Sequence, residues 1–282
     1  MTYKKLTLLL LFTHLATILL AGDTDSLKLQ NRHLTSINTG VSSQISRDEA
    51  ISPFNYRGKA VPIAIGYQYL GGKSLHLFSS QFSHSELKSD LPDYPMVGLT
   101  HHVQSTSFQL RYSYQRKIAA FSEYKTKLFM GGEFSGFLNL RDHFFTTYSS
   151  HIMVDYFNSL SINAFLTKEF NDGRQILFLN VSSPVVSYVL LRGTYNAYVG
   201  DKIDPLDLGE NVLSQLMRSG DFVSVAKLFA IRFDLSYVRY LGDHFGINFK
   251  YNFHYYNYSQ YDNLLYSRNL YNHYMAGITI RF

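Results

Sequence analysis

The sequence predicts an all-β chain: a closed, antiparallel, up-and-down transmembrane β-barrel of about ten strands, eight and twelve being the neighbouring even counts. Three observations predict it. Hydrophobicity alternates with a period of two along most of the chain. The links between alternating segments are short and long in turn. The polar faces carry Ser, Asn, Gln, Gly and isolated charges, and at 17% charged residues the chain is poorly supplied for a surface facing bulk water.

The clearest strand follows Gly246, where Ile247, Phe249, Tyr251, Phe253 and Tyr255 share one face and Asn248, Lys250, Asn252 and His254 the other. Phe229, Ile231, Phe233, Leu235 and Tyr237 repeat the pattern, and Leu241-Gly242-Asp243-His244 joins the two as a hairpin. Phe108, Leu110, Tyr112 and Tyr114 alternate with Gln109, Arg111, Ser113 and Gln115, and Leu128, Met130, Phe134, Leu138 and Leu140 form the next apolar face. Ile152, Val154, Tyr156, Leu160, Ile162 and Ala164 follow. Asn171-Asp172-Gly173-Arg174 then turns the chain into Leu177, Leu179 and Val181, with Pro184 weakening the far half of that strand. Val61, Ile63, Ile65, Tyr67 and Tyr69 precede Gly71-Gly72 and a poorer alternation up to Leu87, while the first segment, Leu27 to Val41, barely alternates.

The predicted strands are 27–42, 60–70, 73–87, 104–117, 125–140, 150–167, 174–190, 226–241, 245–259 and 270–282. Tight links at 71–72, 118–124, 168–173 and 242–244 take turns with longer ones at 43–59, 88–103, 141–149, 191–225 and 260–269. Within the longest, residues 205–218 break the period of two, and Leu206, Leu213, Leu216 and Met217 fit one face of a short helix. Such asymmetry matches short periplasmic turns and longer extracellular loops.

If the apolar faces pointed inward, the 23 Tyr and 22 Phe would overfill a small barrel. They are therefore expected to face lipid, with closure satisfying the backbone groups that lipid cannot. The inward positions then include Arg111, Lys127, Glu133, Asp155, Arg232, Asp234, Lys250, His254 and Arg281. Pairing between neighbouring strands brings Asp234 to Lys250 and Asn252, Arg232 to His254, and Arg111 to Glu133. In a barrel slightly wider than the eight-stranded kind, such side chains leave watery gaps and no wide channel.

By twos, the last strand reads Tyr274, Ala276, Ile278, Ile280 and Phe282, which resembles the terminal-strand signature of bacterial outer-membrane β-barrel proteins. The resemblance covers that strand closely and the rest of the chain as a pattern. It implies a Gram-negative outer membrane and contact with its lipid and lipopolysaccharide. It also implies that Tyr274, Ile278, Ile280 and Phe282 form an assembly signal read by the barrel-assembly machinery. Trp, common in the aromatic girdles of that family, is absent here, leaving Tyr and Phe to serve.

Residues 1–22 read as a signal peptide, with Lys4 and Lys5, an apolar run from Leu6 to Leu20 and small residues at Ala21-Gly22. The run is shorter than the roughly 20 residues that span a bilayer. Residues 23–282 form the barrel domain. The formal charge of +5 includes the two leader lysines and calls for no nucleic-acid partner. With no cysteine, disulfides, thiolate metal sites and cysteine nucleophiles are excluded.

Three polar groupings could carry chemistry. Ser83-His84-Ser85-Glu86 with Asp90 and Asp93 contains the residue types of a serine hydrolase, and outer-membrane lipid-A deacylases and phospholipases place such residues on barrel strands. Adjacent strand residues face opposite ways, however, which favours a solvated strand end. Asp142 and His143, with His151, Asp90 and Asp93, resemble in strand count and loop placement the omptins, ten-stranded outer-membrane proteases. In that family the Asp-His pair follows strand seven, where this chain offers Asp201, Asp204 and Asp207 without a histidine. His101-His102 has metal-ligand types, but adjacent side chains diverge in an extended chain. No cofactor or metal is expected. The sequence thus points to a non-catalytic barrel, either structural and surface-interacting or a narrow pore. The alternative is a rim hydrolase using Asp90, Asp93, Asp142 and His143.

Overall fold

The computed structural model describes residues 32–48, 52–89, 99–146, 149–170, 173–193, 211, 214–215, 220–260 and 265–282. The expected leader lies outside them, as do Asp90, Asp93, Asp201, Asp204 and Asp207. The strands are β1 (Arg32–Asp48), β2 (Ser52–Leu70), β3 (Ser74–Ser89), β4 (Leu99–Phe121), β5 (Thr126–Thr146) and β6 (Ser149–Phe170). They continue as β7 (Gln175–Gly193), β8 (Asp221–Ser224), β9 (Leu228–Tyr240), β10 (Phe245–Gln260) and β11 (Leu265–Arg281).

Consecutive strands pair antiparallel, and β1 pairs with β11 to close the ring. β8 and β9 occupy one position in the wall, β8 against Val186–Val189 and β9 against Gln175–Ser182 of β7, so eleven segments make ten barrel strands. The interruption sits at Pro184, which has no N–H for the ladder. On its other side the β6–β7 register shifts between Leu160 and Ser161. The far half of the Pro184 strand is not weakened as expected, since β7 runs unbroken from Gln175 to Gly193; the break falls in its neighbour, between β8 and β9, bridged by a turn in which Lys227 N donates to Ser224 O at 3.0 Å.

Several expected loops are largely strand: β1 runs to Asp48 with β2 starting at Ser52, β5 runs to Thr146 with β6 starting at Ser149, and β4 and β11 start at Leu99 and Leu265. Beyond the apolar band both faces turn polar and the hydrophobic period vanishes. The backbone ladder does not depend on that period and continues. The longest link runs between Gly193 and Asp221, mostly outside the described residues. Within it Ser214 and Gln215 are helical, capped by Asn211 Oδ1 accepting from Ser214 N at 3.1 Å. The rest of the helix expected at 205–218 falls outside the described residues.

The apolar faces point outward as expected; Ile162 is 63% exposed and its neighbour Asn163 2%. Gly131 lies where a side chain would collide with the Tyr114 backbone oxygen, so this position requires a glycine. The middle of the inward face of β2 is small, Ala60, Pro62, Ala64 and Gly66, which leaves room for long side chains reaching across.

At the short-turn end, inward Leu34, Leu70, Leu75, Phe129, Phe165, Ile176, Phe178, Val238 and Tyr240 form an apolar floor. Higher up, Phe137, Met153, Phe157, Val189, Leu228, Tyr256 and Tyr271 belong to a second apolar cluster. Between and above these lie the charges.

Candidate functional site: the barrel lumen

The central charges form a belt of cross-lumen ion pairs. Arg111 on β4 meets Asp234 on β9 at 2.7 Å, and Arg232 on β9 meets Glu133 on β5 at 2.9 Å. The strand register has the expected neighbours, with Asn252 opposite Asp234, Lys250 diagonal to it, His254 opposite Arg232 and Arg111 diagonal to Glu133; the ion pairs run elsewhere, from Asp234 to Arg111 and from Glu133 to Arg232. Guanidinium groups on long stems reach past the adjacent strand to carboxylates on the far wall, and the small residues of β2 leave that space open. Asn252, expected beside Asp234, does donate to it, as does Asn180 at 3.2 Å. Glu133 also accepts from Ser182 at 3.2 Å and Asn163 at 3.0 Å. Gln109, with its amide oxygen turned to Arg232, accepts from Nε and Nη2. Every carboxylate of the belt is thus partnered by charge and by neutral donors, the condition under which buried ions persist.

Above the belt the second cluster interlocks. The Phe137 ring stacks on Phe157 at 5.9 Å and meets His254, Tyr256 and Tyr271 edge-on at 5.2–6.0 Å. His254 accordingly packs among aromatic rings. Tyr256 then donates to Asp155 at 2.7 Å, and Asp155 pairs with Arg141 at 2.5 Å. Arg141 also donates to Ser46 at 3.2 Å on the opposite wall. Gln44, Ser85, Ser105 and Asn139 extend this upper network. Arg141 was missed in the sequence because the predicted strand stopped at 140; carrying the alternation Asn139, Arg141, His143 one turn further would have found it.

The remaining predicted lumen residues lie at the short-turn mouth. Lys127 and Arg32 share Glu169 at 3.4 Å each, and Arg281 lies over the Tyr240 ring at 4.3 Å while donating to Asp243 O. Arg281 is therefore a rim residue outside the central network, held there by its place at the end of β11.

Among the described residues the hydrolase candidates do not converge; Asp90 and Asp93 lie outside them. Ser83 and Ser85 are buried in the lumen, while His84 bonds to Thr106 on the outer face and Glu86 lies near Lys88. His143 points inward, its ring edge-on to Tyr56 at 5.7 Å, and Asp142 belongs to the opposite face of β5. His102 stacks on Phe144 at 4.6 Å. Among the described residues no group of three His, Cys, Asp or Glu comes together as a metal site. On the outer face, Tyr274, Ile278, Ile280 and Phe282 are exposed, and the Phe282 backbone bonds reciprocally with that of His33 at 3.1 Å.

No family model matches the chain and no curated protein matches it in sequence. Solved structures match in fold. The outer membrane protease OmpT from Escherichia coli superposes with a TM-score of 0.54 over 92% of this chain and 100% of that one, at 8% identity. The fold is that of an outer-membrane β-barrel. The translocator domain of the autotransporter NalP from Neisseria meningitidis gives 0.45 over 96% of each chain at 8% identity. An outer membrane channel from Pseudomonas putida F1 gives 0.34 over 93% of this chain and 98% of that one at 7%. At these identities the likeness concerns the path of the chain and no residue of a site.

Proposed function

We propose that this chain is an integral outer-membrane protein of a Gram-negative cell whose sealed barrel serves a structural and surface-interaction role, without catalysis. The observation that carries the reading is the pair of cross-lumen ion bridges locked beneath an aromatic layer, which fills the space a pore would need. The exposed Val61, Ile63, Ile65, Phe108 and Leu110 supply a lipid-facing band. In this reading the leader exports the chain, the terminal strand ending in Phe282 is its assembly signal, and the long-link end faces the exterior with its lipopolysaccharide.

The absence of cysteine makes a direct test available. Single cysteines at Asp221, near the long link, and at Gly242, in a short turn, are treated with a bulky polyethylene-glycol maleimide. Asp221→Cys reacts on intact cells and Gly242→Cys only after the outer membrane is permeabilised, and deletion of Phe282 lowers the amount inserted. Labelling of Gly242→Cys alone on intact cells would contradict the orientation, and recovery of the chain outside the outer-membrane fraction would contradict the assignment.

A further inference from the structure

Between the ionic belt and the apolar floor lies a cavity of about 110 Å³. Its lining combines floor residues such as Leu34, Phe178 and Val238 with Arg111, Glu133, Asp234 and Lys250 from the belt. The charges around it do not balance. Glu133 is taken by Arg232 at 2.9 Å and Asp234 by Arg111 at 2.7 Å. Lys250, directly opposite Ser236 and diagonal to Asp234, has no carboxylate within ion-pair distance and no hydrogen-bond partner among the described residues. One ammonium is left over in a space otherwise lined by apolar floor residues and neutral polar side chains such as Asn180, Ser236 and Asn248.

Neutral donors point the same way. Thr279 is 2% exposed, lines the cavity, and its hydroxyl has no partner; Gln68 Nε2 is likewise buried and unpartnered on the same wall. Arg111 uses Nε on Ser79 and Nη1 on Asp234, leaving Nη2 for a further acceptor. A half-buried ammonium whose nearest carboxylate is already committed to another cation is disfavoured, and donors left unmatched add to the penalty. Waters alone satisfy the donors and leave the charge uncompensated.

We propose that this cavity is a binding site for a small monovalent anion of the halide class, held by Lys250 and the free edge of Arg111, with Thr279 and Gln68 as neutral donors. The volume accommodates a halide with two or so waters, each taking about 30 Å³ in the liquid. Bulky organic anions do not fit. The site lies inside the lumen and does not depend on whether the barrel conducts.

The test uses the full-length protein refolded in detergent, with bromide and chloride as probes. Crystals grown in bromide give an anomalous peak in this cavity, lost in Lys250→Met. Absence of the peak in wild type, or an undiminished peak in the variant, overturns the proposal. Independently, because a ligand bound by the folded state raises its stability, wild-type Tm is higher in chloride than in gluconate at equal ionic strength. That difference shrinks in Thr279→Val, which keeps the charge and the shape. Equal wild-type Tm in the two salts overturns the proposal even if Lys250→Met fails to fold.

Discussion

Arg141–Asp155 and Arg111–Asp234 are both ion pairs inside one barrel, yet they sit in different settings. The first joins adjacent strands β5 and β6, with both side chains at 0% exposure and Tyr256 closing over the carboxylate. The second spans the lumen from β4 to β9, four steps around the ring, with side chains at 9% and 12% exposure beside a cavity. An adjacent-strand pair ties together two strands that the backbone ladder already joins. A cross-lumen pair ties walls that the backbone ladder does not join, so it governs the shape and closure of the lumen more than the pairing of strands.

The difference gives an ordered set of expected effects. Asp155→Ala is the most destabilising, removing the carboxylate shared by Arg141 and the Tyr256 hydroxyl where both side chains of the ion pair are fully buried. Loss of one partner of a buried pair costs about 3–5 kcal/mol, measured by denaturant unfolding in lipid or detergent. Glu133→Ala costs less, about 2 kcal/mol, because water from the neighbouring cavity rehydrates Arg232, weakening the buried-pair penalty. It raises leakage through the barrel, which Asp155→Ala does much less. Because Glu133 belongs to the other cross-lumen pair, with Arg232, equal loss of stability with no leak in either variant would erase the distinction between adjacent-strand and cross-lumen pairs. Lys88→Ala, which removes an exposed contact to Glu86 at 3.6 Å, changes stability by about 0.5 kcal/mol or less, and serves as the reference for charge removal outside the lumen.

Much of this was legible in the sequence. The period of two assigned each strand and its faces, because alternation in a closed wall follows directly from side-chain direction. Pro184 marked the site where the ladder breaks. The partners of the lumen charges were not legible: neighbour pairing assumes side chains meet across one strand spacing, and Arg111 and Arg232 reach across the lumen instead. The apolar floor was hidden for a different reason. Around Leu128-Phe129, Phe165-Leu166 and Ile176-Leu177-Phe178 both faces are apolar, so alternation fades where the lumen closes. Arg141 lay just beyond a strand end set by the fading of the apolar face, although the ladder continues to Thr146. The Ser83–Glu86 grouping was weakened in advance by the opposite facing of neighbouring residues, and His84 faces outward while Ser83 and Ser85 face the lumen.

The central claim is that the cross-lumen belt and the layers around it seal the barrel. Planar-bilayer recording of the purified wild-type protein beside Glu133→Ala tests it most directly. The account predicts no steady conductance for wild type and small, flickering steps for the variant, in which Arg232 has lost its carboxylate. A large, steady wild-type conductance unchanged by Glu133→Ala would contradict it and make these residues the lining of an open pore.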